Sequence, residues 1–355
     1  MPMPRLSPPL SLGLLLVATP SLASSAGQQF EHRDWQLACD NTRTCRAAGY
    51  TAEADRGDAS DAGGVSVLLT RKAGPGQPVT AEVRFADWYD EALPQAPVHL
   101  HIDGRDLGPL PAPAPDDPAL TTLRPAQVDA LRSALLRDSR IVFVDGQRAR
   151  WPLSDAGAAA VLLKMDEAQG RLGSTGALVR RGARDERDVL PAVPVPQVRA
   201  AAVPALRPDD AGLAALPAVA DALRASLDVD QTCDGLEPEY SGQPLEVAAR
   251  LDAQHVLVTT GCWTGAYNGG AGYWVMRDSA PWQAELVTMD AVGYEDGQLF
   301  AGHKGRGLGD CFWTAAWTWD GRGFVQTSEE TTGLCRGITA GGAWSLPTRV
   351  ADVVR

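Results

Sequence analysis

Short segments of β-branched or alternating apolar and polar residues dominate the chain up to about residue 151. Runs of about four to eight such residues, bounded by Gly, Pro or Asp-Gly, are typical of strands in antiparallel sheets. Asp103-Gly104 and Asp145-Gly146 predict tight hairpin turns, because these residue types adopt positive φ readily. The pattern therefore predicts a β-sandwich with strands in residues 65–72, 79–85, 98–104 and 141–151.

Helical spacing of apolar residues appears at two places within this β-rich region. Pro125 can open a helix whose apolar face holds Val128, Leu131 and Leu135. Ser154 can cap a second helix that extends to residue 168 and ends at Gly170. We expect both helices to pack against a sheet.

The composition changes after residue 187 and divides the remaining chain. Residues 190–208 are rich in Pro, Ala and Val, which is typical of a semi-rigid linker, and an Ala-rich helix is expected at residues 217–226. The patterns of nearly all later segments predict strands. The sequence thus predicts a mainly β protein with a few helices: an N-terminal β-sandwich-like domain (24–187), a Pro/Ala-rich linker (188–232) and a C-terminal β-rich domain with disulfides (233–355).

The first 23 residues have the pattern of a cleaved signal peptide. Arg5 precedes an apolar run, and small residues end the segment at Ala23. The run is too short to span a bilayer, so we expect no membrane span and a periplasmic or secreted protein. With 44 acidic against 32 basic residues, a net charge of −12 also makes nucleic acid an unfavourable partner.

Six cysteines, an even number, predict disulfide bonds in an exported chain. Their spacing lacks the close C-x-x-C pairs of structural zinc sites. The long gap between the second and third cysteine separates one pair from a group of four. We expect the pairs Cys39–Cys45, Cys233–Cys262 and Cys311–Cys335.

A strand rich in tryptophan provides the first candidate binding surface. If residues 312–319 are extended, Trp313, Trp317 and Trp319 point to one face. An exposed row of indoles would stack against sugar rings or an extended peptide, whereas a buried row would supply core area. Both interpretations fit the sequence.

The glycine-rich turn before this strand provides the second candidate. It carries Lys304 and Arg306, which would contact a carboxylate or sulfate, or it is simply a turn between strands. It is not a phosphate-binding P-loop, because no Gly-Lys-Ser/Thr follows and the segment leads into a strand.

Metal and catalytic signatures are weak. His99, His101 and Asp103 alternate on one strand, but this also describes the solvent face of a half-buried strand, so we expect no metal site and no cofactor. The sequence has no G-x-S-x-G or H-E-x-x-H motif, and the disulfides leave no free cysteine as a nucleophile. Enzyme activity is therefore less expected than binding.

Four segments carry a family resemblance: residues 30–50, 152–182, "KGRGLGDC" (304–311) and "WTWDGRGF" (317–324). They resemble the exported proteobacterial proteins of the domain of unknown function 1176 family. The N-terminal region is similar, more loosely, to invasion-associated locus B proteins. The resemblance implies a periplasmic β-sandwich and brings no activity, catalytic residue or cofactor.

These observations predict a non-enzymatic binding or envelope-associated module whose second domain carries the ligand surface. An envelope protein or a glycan would be its partner. The alternatives are a hydrolase acting on envelope glycan, with the same aromatics as sugar platforms, and a purely structural protein.

Overall fold

The computed structural model describes residues 27–53, 63–88, 92–240 and 242–355. The predicted signal peptide lies outside these residues. The described chain is mainly β, as predicted, and contains several antiparallel sheets, four α-helices and three disulfide bonds. None of its helices is long and apolar enough to cross a bilayer.

Two antiparallel sheets form the N-terminal region. The six-stranded sheet has the order β1-β2-β3-β4-β5-β8, and the four-stranded sheet has the order β10-β9-β6-β7. The strands are β1 (Gln28–His32), β2 (Trp35–Cys39), β3 (Cys45–Tyr50), β4 (Val65–Arg71), β5 (Val79–Phe85), β6 (His99–Ile102), β7 (Arg105–Pro109), β8 (Leu120–Thr122), β9 (Ile141–Val144) and β10 (Arg150–Leu153).

One apolar core joins the two sheets with two helices, α1 (Pro125–Ala134) and α2 (Ala158–Ala168). Helix α1 begins at the predicted proline and buries Val128 and Leu131. Helix α2 begins later than expected, because Gly157, with φ of 99°, is its N-cap residue. The Ser154 hydroxyl instead donates to Asp34 (2.7 Å) and accepts from the backbone N–H of Ala156.

The two Asp-Gly hairpins use different turns. Asp103 and Gly104 have φ of 51° and 80°, as the tight turn between β6 and β7 requires. In the β9–β10 hairpin the positive φ belongs to Arg148 instead, and the Asp145 carboxylate accepts the backbone N–H groups of Gln147 and Ala149. An aspartate that satisfies turn amides stabilises this longer loop.

The C-terminal region contains two further sheets that pack face to face. The four-stranded sheet comprises β12 (Glu246–Arg250), β13 (His255–Thr264), β14 (Gly269–Arg277) and β15 (Glu285–Ala291), in that order. The five-stranded sheet comprises β16 (Gly293–Glu295), β17 (Gln298–Lys304), β18 (Phe312–Trp319), β19 (Phe324–Thr331) and β20 (Leu346–Arg349). Leu257, Leu299 and Trp319 belong to the core between them.

The Pro/Ala-rich segment is docked against the C-terminal region. Its strand β11 (Gln197–Arg199) pairs in parallel with β21 (Asp352–Val354), and the backbone N–H of Ala201 donates to the carbonyl of Trp319. Helices α3 (Asp210–Leu213) and α4 (Pro217–Ala225) follow, and Val219 and Leu223 of α4 pack with Val256 and Trp274 on the other face of the four-stranded sheet.

A disulfide-anchored segment between β19 and β20 packs on the N-terminal sheet. Its side chains Ile338 and Trp344, together with Leu346 of β20, form one cluster with residues of β3 and β4, among them Tyr50. The Trp344 indole donates to the Ser66 hydroxyl (2.7 Å), and the Leu334 backbone N–H donates to the Tyr50 hydroxyl (3.1 Å). The two regions therefore share a buried interface.

The disulfides are Cys39–Cys45, Cys233–Cys262 and Cys311–Cys335, the pairs expected from the sequence. The first lies at a paired register position of β2 and β3. The second fastens the segment after α4 to β13, and the third holds the segment that packs on the N-terminal sheet.

Candidate functional site

The tryptophan row of β18 lies on one face, as the extended strand predicts. Its ladder with β17 is continuous from Gln298↔Thr318 to Lys304↔Phe312, so the alternation of side chains is not interrupted. Trp319 is only 1% exposed, and half-buried Trp317 packs against the same core between the two C-terminal sheets. These two indoles therefore supply core area and do not form an exposed binding platform. Trp313 lies at the other end of β18, at the rim of this core.

Trp313 belongs to a stack of three rings, the rim stack, formed with Trp263 and His303. The imidazole lies between the indoles, with ring centroids 5.7 Å from Trp313, nearly parallel, and 5.1 Å from Trp263. His303 Nε2 lies 2.8 Å from the carbonyl oxygen of Asp290, so it carries the proton and donates it. The buried Nδ1 atom has no hydrogen-bond partner among the described residues.

Both indole N–H groups of the rim stack have partners within the protein. Trp263 Nε1 donates to the carbonyl of Met289 (3.0 Å), and Trp313 Nε1 donates to Glu329 Oε1 (3.3 Å). The sequence could not reveal this stack, because Trp263 lies far from β18 along the chain and only the packing of the two sheets brings them together.

A groove of about 620 Å³ lies beside Trp263. A cavity on the face of a sheet is lined by alternate residues of a strand, whereas this one is lined by every residue from 284 to 290. It therefore follows the edge of β15, the outermost strand of its sheet. The opposite wall consists of Ser226, Asp228 and Gln231.

The edge of β15 is open to pairing along this groove. The register between β14 and β15 shifts twice, and such bulges increase the twist of an edge strand. Among the described residues, no backbone hydrogen bond joins residues 284–290 to a strand other than β14. The carbonyl groups of Met289 and Asp290 instead accept from the rim stack.

Arg306 is engaged in a structural ion pair with Asp310. Its Nε and Nη2 atoms lie 2.8 and 2.5 Å from the two carboxylate oxygens, and the Asp310 side chain is fully buried. Burial alone would raise the pKa of Asp310, but the bonds from Arg306 and from the Gly337 backbone N–H outweigh it and lower the pKa. The guanidinium is therefore committed to the fold and does not serve an external anion.

Lys304 is exposed but lies apart from the tryptophan face. It pairs with Phe312 in the ladder, while His303 pairs with Trp313, so the lysine side chain points to the opposite side of the sheet. Its backbone N–H and C=O bond to the side chain of Asn268, each at 2.9 Å. The structure therefore does not bring the residues of the two candidates, Trp313, Trp317 and Trp319 on the strand and Lys304 and Arg306 in the turn, together in a single site.

His99 and His101 share the exposed face of β6, as the alternation predicts. Their acidic neighbour is Asp106 of β7, 2.9 Å from His99 Nδ1. Asp103 lies in the hairpin turn, where it accepts from the Arg140 backbone N–H (2.8 Å) and from Arg137 (3.3 Å).

Burial raises the pKa of the Asp166 carboxyl, although bonds from two backbone N–H groups and the nearby Arg71 and Arg171 oppose the shift. It lies in the N-terminal core and accepts the backbone N–H groups of Leu178 and Val179. It therefore closes a loop over α2 and does not face the groove beside β15. This position gives no support to a pair of carboxylates acting across a glycosidic bond.

The family model described as "Protein of unknown function (DUF1176)" matches residues 29–351, so the chain belongs to this family. The "Uncharacterized protein YpfG" of Escherichia coli (strain K12) is 25% identical over 351 residues, covering 91% of this chain and 93% of that protein. No solved structure matches significantly.

Proposed function

We propose that this member of the DUF1176 family is an exported, non-enzymatic binding module of the cell envelope. Its ligand is an extended, basic segment of another envelope protein. That segment adds as a strand to the edge of β15 and lies between this edge and the wall formed by Ser226, Asp228 and Gln231. The observation that carries the proposal is the groove lined by the consecutive residues 284–290.

Strand addition uses the unpaired backbone groups of an edge strand for affinity and its neighbouring pockets for specificity. The groove follows residues 284–290, of which six belong to the edge strand β15, and its volume is about 620 Å³. The rim stack limits one end of the groove, because its Trp263 and His303 side chains hold the carbonyl groups of Met289 and Asp290.

The charge of the groove favours a basic segment. Among the described residues, the ionisable side chains that line it are Asp228, Glu285 and Asp290, all exposed, and none is a lysine or an arginine. The whole chain carries a net charge of −12, which also accelerates the approach of a basic partner.

A glycan fits this site less well than a peptide. A sugar platform needs free indole faces and N–H donors, but His303 fills the space between the two indoles and both N–H groups are already bonded. The hydrolase alternative gains no support from the position of Asp166.

Location in the envelope is part of the proposal. Three disulfides require an oxidising compartment to form and persist, and the first 23 residues have the pattern of a signal peptide. Detection of the processed chain in the periplasmic fraction would test this part separately from binding.

Fluorescence anisotropy with labelled heptapeptides tests the binding site. We expect peptides that alternate Lys or Arg with Val or Ile to bind, while the same peptides with Glu in place of the basic residues do not. Proline at the central position should abolish binding, because it removes a ladder donor.

Two double variants separate the groove from the net charge. We expect Asp228→Asn/Glu285→Gln to weaken binding about tenfold or more, which corresponds to the loss of about 1.4 kcal/mol. Glu237→Gln/Glu239→Gln removes two exposed carboxylates outside the groove and should change affinity little. Equal loss in both variants, or binding of oligosaccharides in place of peptides, would refute the proposed site.

A further inference from the structure

The exposed face of the β6–β7 hairpin brings together two imidazoles and a carboxylate. One possible ligand atom from each of His99, His101 and Asp106 lies within 4.8 Å of the other two. His99 Nδ1 is 2.9 Å from Asp106 Oδ2, and His101 Nε2 is 4.0 Å from Asp106 Oδ1. These three side chains form a cluster far along the chain from the groove beside β15.

The backbone holds this arrangement in place. Strand β6 pairs with β7 on one side and β9 on the other, and it buries Leu100 and Ile102 in the core. Alternation therefore fixes both histidines on the opposite face. Asp106 is opposite His101 in the ladder, and its Oδ1 accepts the backbone N–H of Gly108 at 2.8 Å.

The register of the hairpin explains why Asp106 reaches both histidines. The pairing shifts between His99↔Pro109 and His101↔Asp106, so β7 contains a bulge at this point. Gly108, with φ of 84°, provides the conformation that returns its N–H to the carboxylate. A backbone contact that orients a carboxylate ligand is a recurring feature of metal sites.

We propose that His99, His101 and Asp106 bind a first-row divalent transition metal ion. Each residue would supply one ligand atom, and water or a small anion would complete the coordination. This site is independent of the proposed peptide groove. The inference departs from the sequence-based expectation of no metal, because the third ligand comes from β7 and not from the turn residue Asp103.

The distances suit such an ion. A metal about 2.0 to 2.2 Å from three donors requires donor atoms about 3.0 to 3.5 Å apart. The contacts at 2.9 and 4.0 Å bracket this range, and the partly exposed side chains can adjust by small rotations. Two imidazoles and a single carboxylate favour Zn²⁺, Ni²⁺ or Cu²⁺ over Ca²⁺, which prefers six or more oxygen ligands.

A second histidine–aspartate contact in the chain provides a matched control. His255 Nδ1 lies 2.8 Å from Asp252 Oδ2, nearly the same distance as in the cluster, and its exposure is similar. The described residues place no second imidazole beside this pair. It therefore tests whether a single histidine–aspartate ion pair is sufficient for metal binding.

Isothermal titration calorimetry of tag-free full-length protein with ZnCl₂, NiCl₂ and CaCl₂ tests the proposal. We expect one saturable site for Zn²⁺ and Ni²⁺ and none for Ca²⁺. His99→Ala, His101→Ala and Asp106→Asn should each weaken Zn²⁺ affinity by about tenfold or more, while His255→Ala binds as the wild type does. Electron paramagnetic resonance of the Cu²⁺ complex should show coupling to two nitrogen ligands in the wild type and one in His101→Ala.

Circular dichroism and melting curves without metal show that each variant is folded. The substituted side chains are partly exposed, so we expect little loss of stability. No saturable Zn²⁺ or Ni²⁺ binding, binding that survives a His99→Ala/His101→Ala double variant, or loss of binding in His255→Ala would each overturn the proposal.

Discussion

Lys304 and Arg306 are neighbours in the glycine-rich turn, yet their removal should have different effects on stability. Lys304→Ala deletes an exposed side chain and should change the free energy of unfolding by less than about 0.5 kcal/mol. Arg306→Ala leaves the fully buried Asp310 carboxylate without its guanidinium. The first substitution is the control for the second.

The magnitude follows from the two ends of the ion pair. Removing one partner of a buried pair costs about 3 to 5 kcal/mol. Arg306 is 36% exposed, and Asp310 keeps the N–H of Gly337 at 2.6 Å, so only part of that cost applies. We expect a loss of about 2 kcal/mol, or a fall in melting temperature of about 4 to 8 °C. Arg306→Lys should be intermediate, since it keeps the charge but loses the two-point contact.

The pH dependence provides an independent check. The pKa of Asp310 is lowered in the folded protein, so its pairing stabilises the fold fully above the pKa of the unfolded chain, about 3.9. This contribution is lost as the pH falls through the folded pKa. The difference between wild type and Arg306→Ala should therefore be complete at pH 7 and narrow below about pH 4.

Urea denaturation followed by tryptophan fluorescence, with the disulfides intact, measures both quantities. Equal destabilisation by Lys304→Ala and Arg306→Ala would refute the reasoning, as would a difference that does not change with pH. Unchanged slopes of free energy against urea would show that the substitutions change stability without changing the surface exposed on unfolding.

Further substitutions test the interface between the N-terminal and C-terminal regions and, separately, the disulfides. Tyr50→Phe removes the hydroxyl that accepts the Leu334 N–H and should cost about 1 to 3 kcal/mol of unfolding free energy. Burial raises the pKa of Tyr50 above its ordinary value, so the wild type should also lose stability faster than Tyr50→Phe above about pH 10. Denaturation at pH 8 and pH 10.5 would measure this difference. A disulfide that closes a longer loop restricts the unfolded chain more. Alanine replacement of both cysteines should therefore cost about 3.5 kcal/mol of unfolding free energy for Cys311–Cys335 and about 2.4 kcal/mol for Cys39–Cys45. Equal losses of stability in thermal unfolding would contradict this account.

Local patterns predicted much of the secondary structure. Strand β5 has the predicted bounds, and helices α1 and α4 begin at the predicted prolines. Alternation and the preference of proline for the first helical turn act within a few residues, so they can be recognised without knowledge of the tertiary fold. The start of α2 differed because Gly157, and not Ser154, occupies the N-cap position.

The candidate sites depended on contacts that local patterns do not contain. Alternation placed Trp313 and Trp319 on one face, but only the packing of the second sheet buries Trp319. Because of the bulge in β7, the carboxylate beside the two histidines is that of Asp106 and not that of Asp103. The sequence suggested that Arg306 was free to bind an anion. It does not show that the carboxylate of Asp310, four residues later in an irregular loop, is buried and paired with Arg306.

The segment between β19 and β20 has a consequence for how the chain acquires its structure during synthesis. The N-terminal sheet is made first, but its outward apolar surface around Tyr50 and Leu68 packs with residues 338–346, among them Trp344. A growing chain therefore carries part of this apolar surface uncovered until residues 338–346 have been synthesised. Holding chaperones and timely closure of the last disulfide would protect this surface from aggregation.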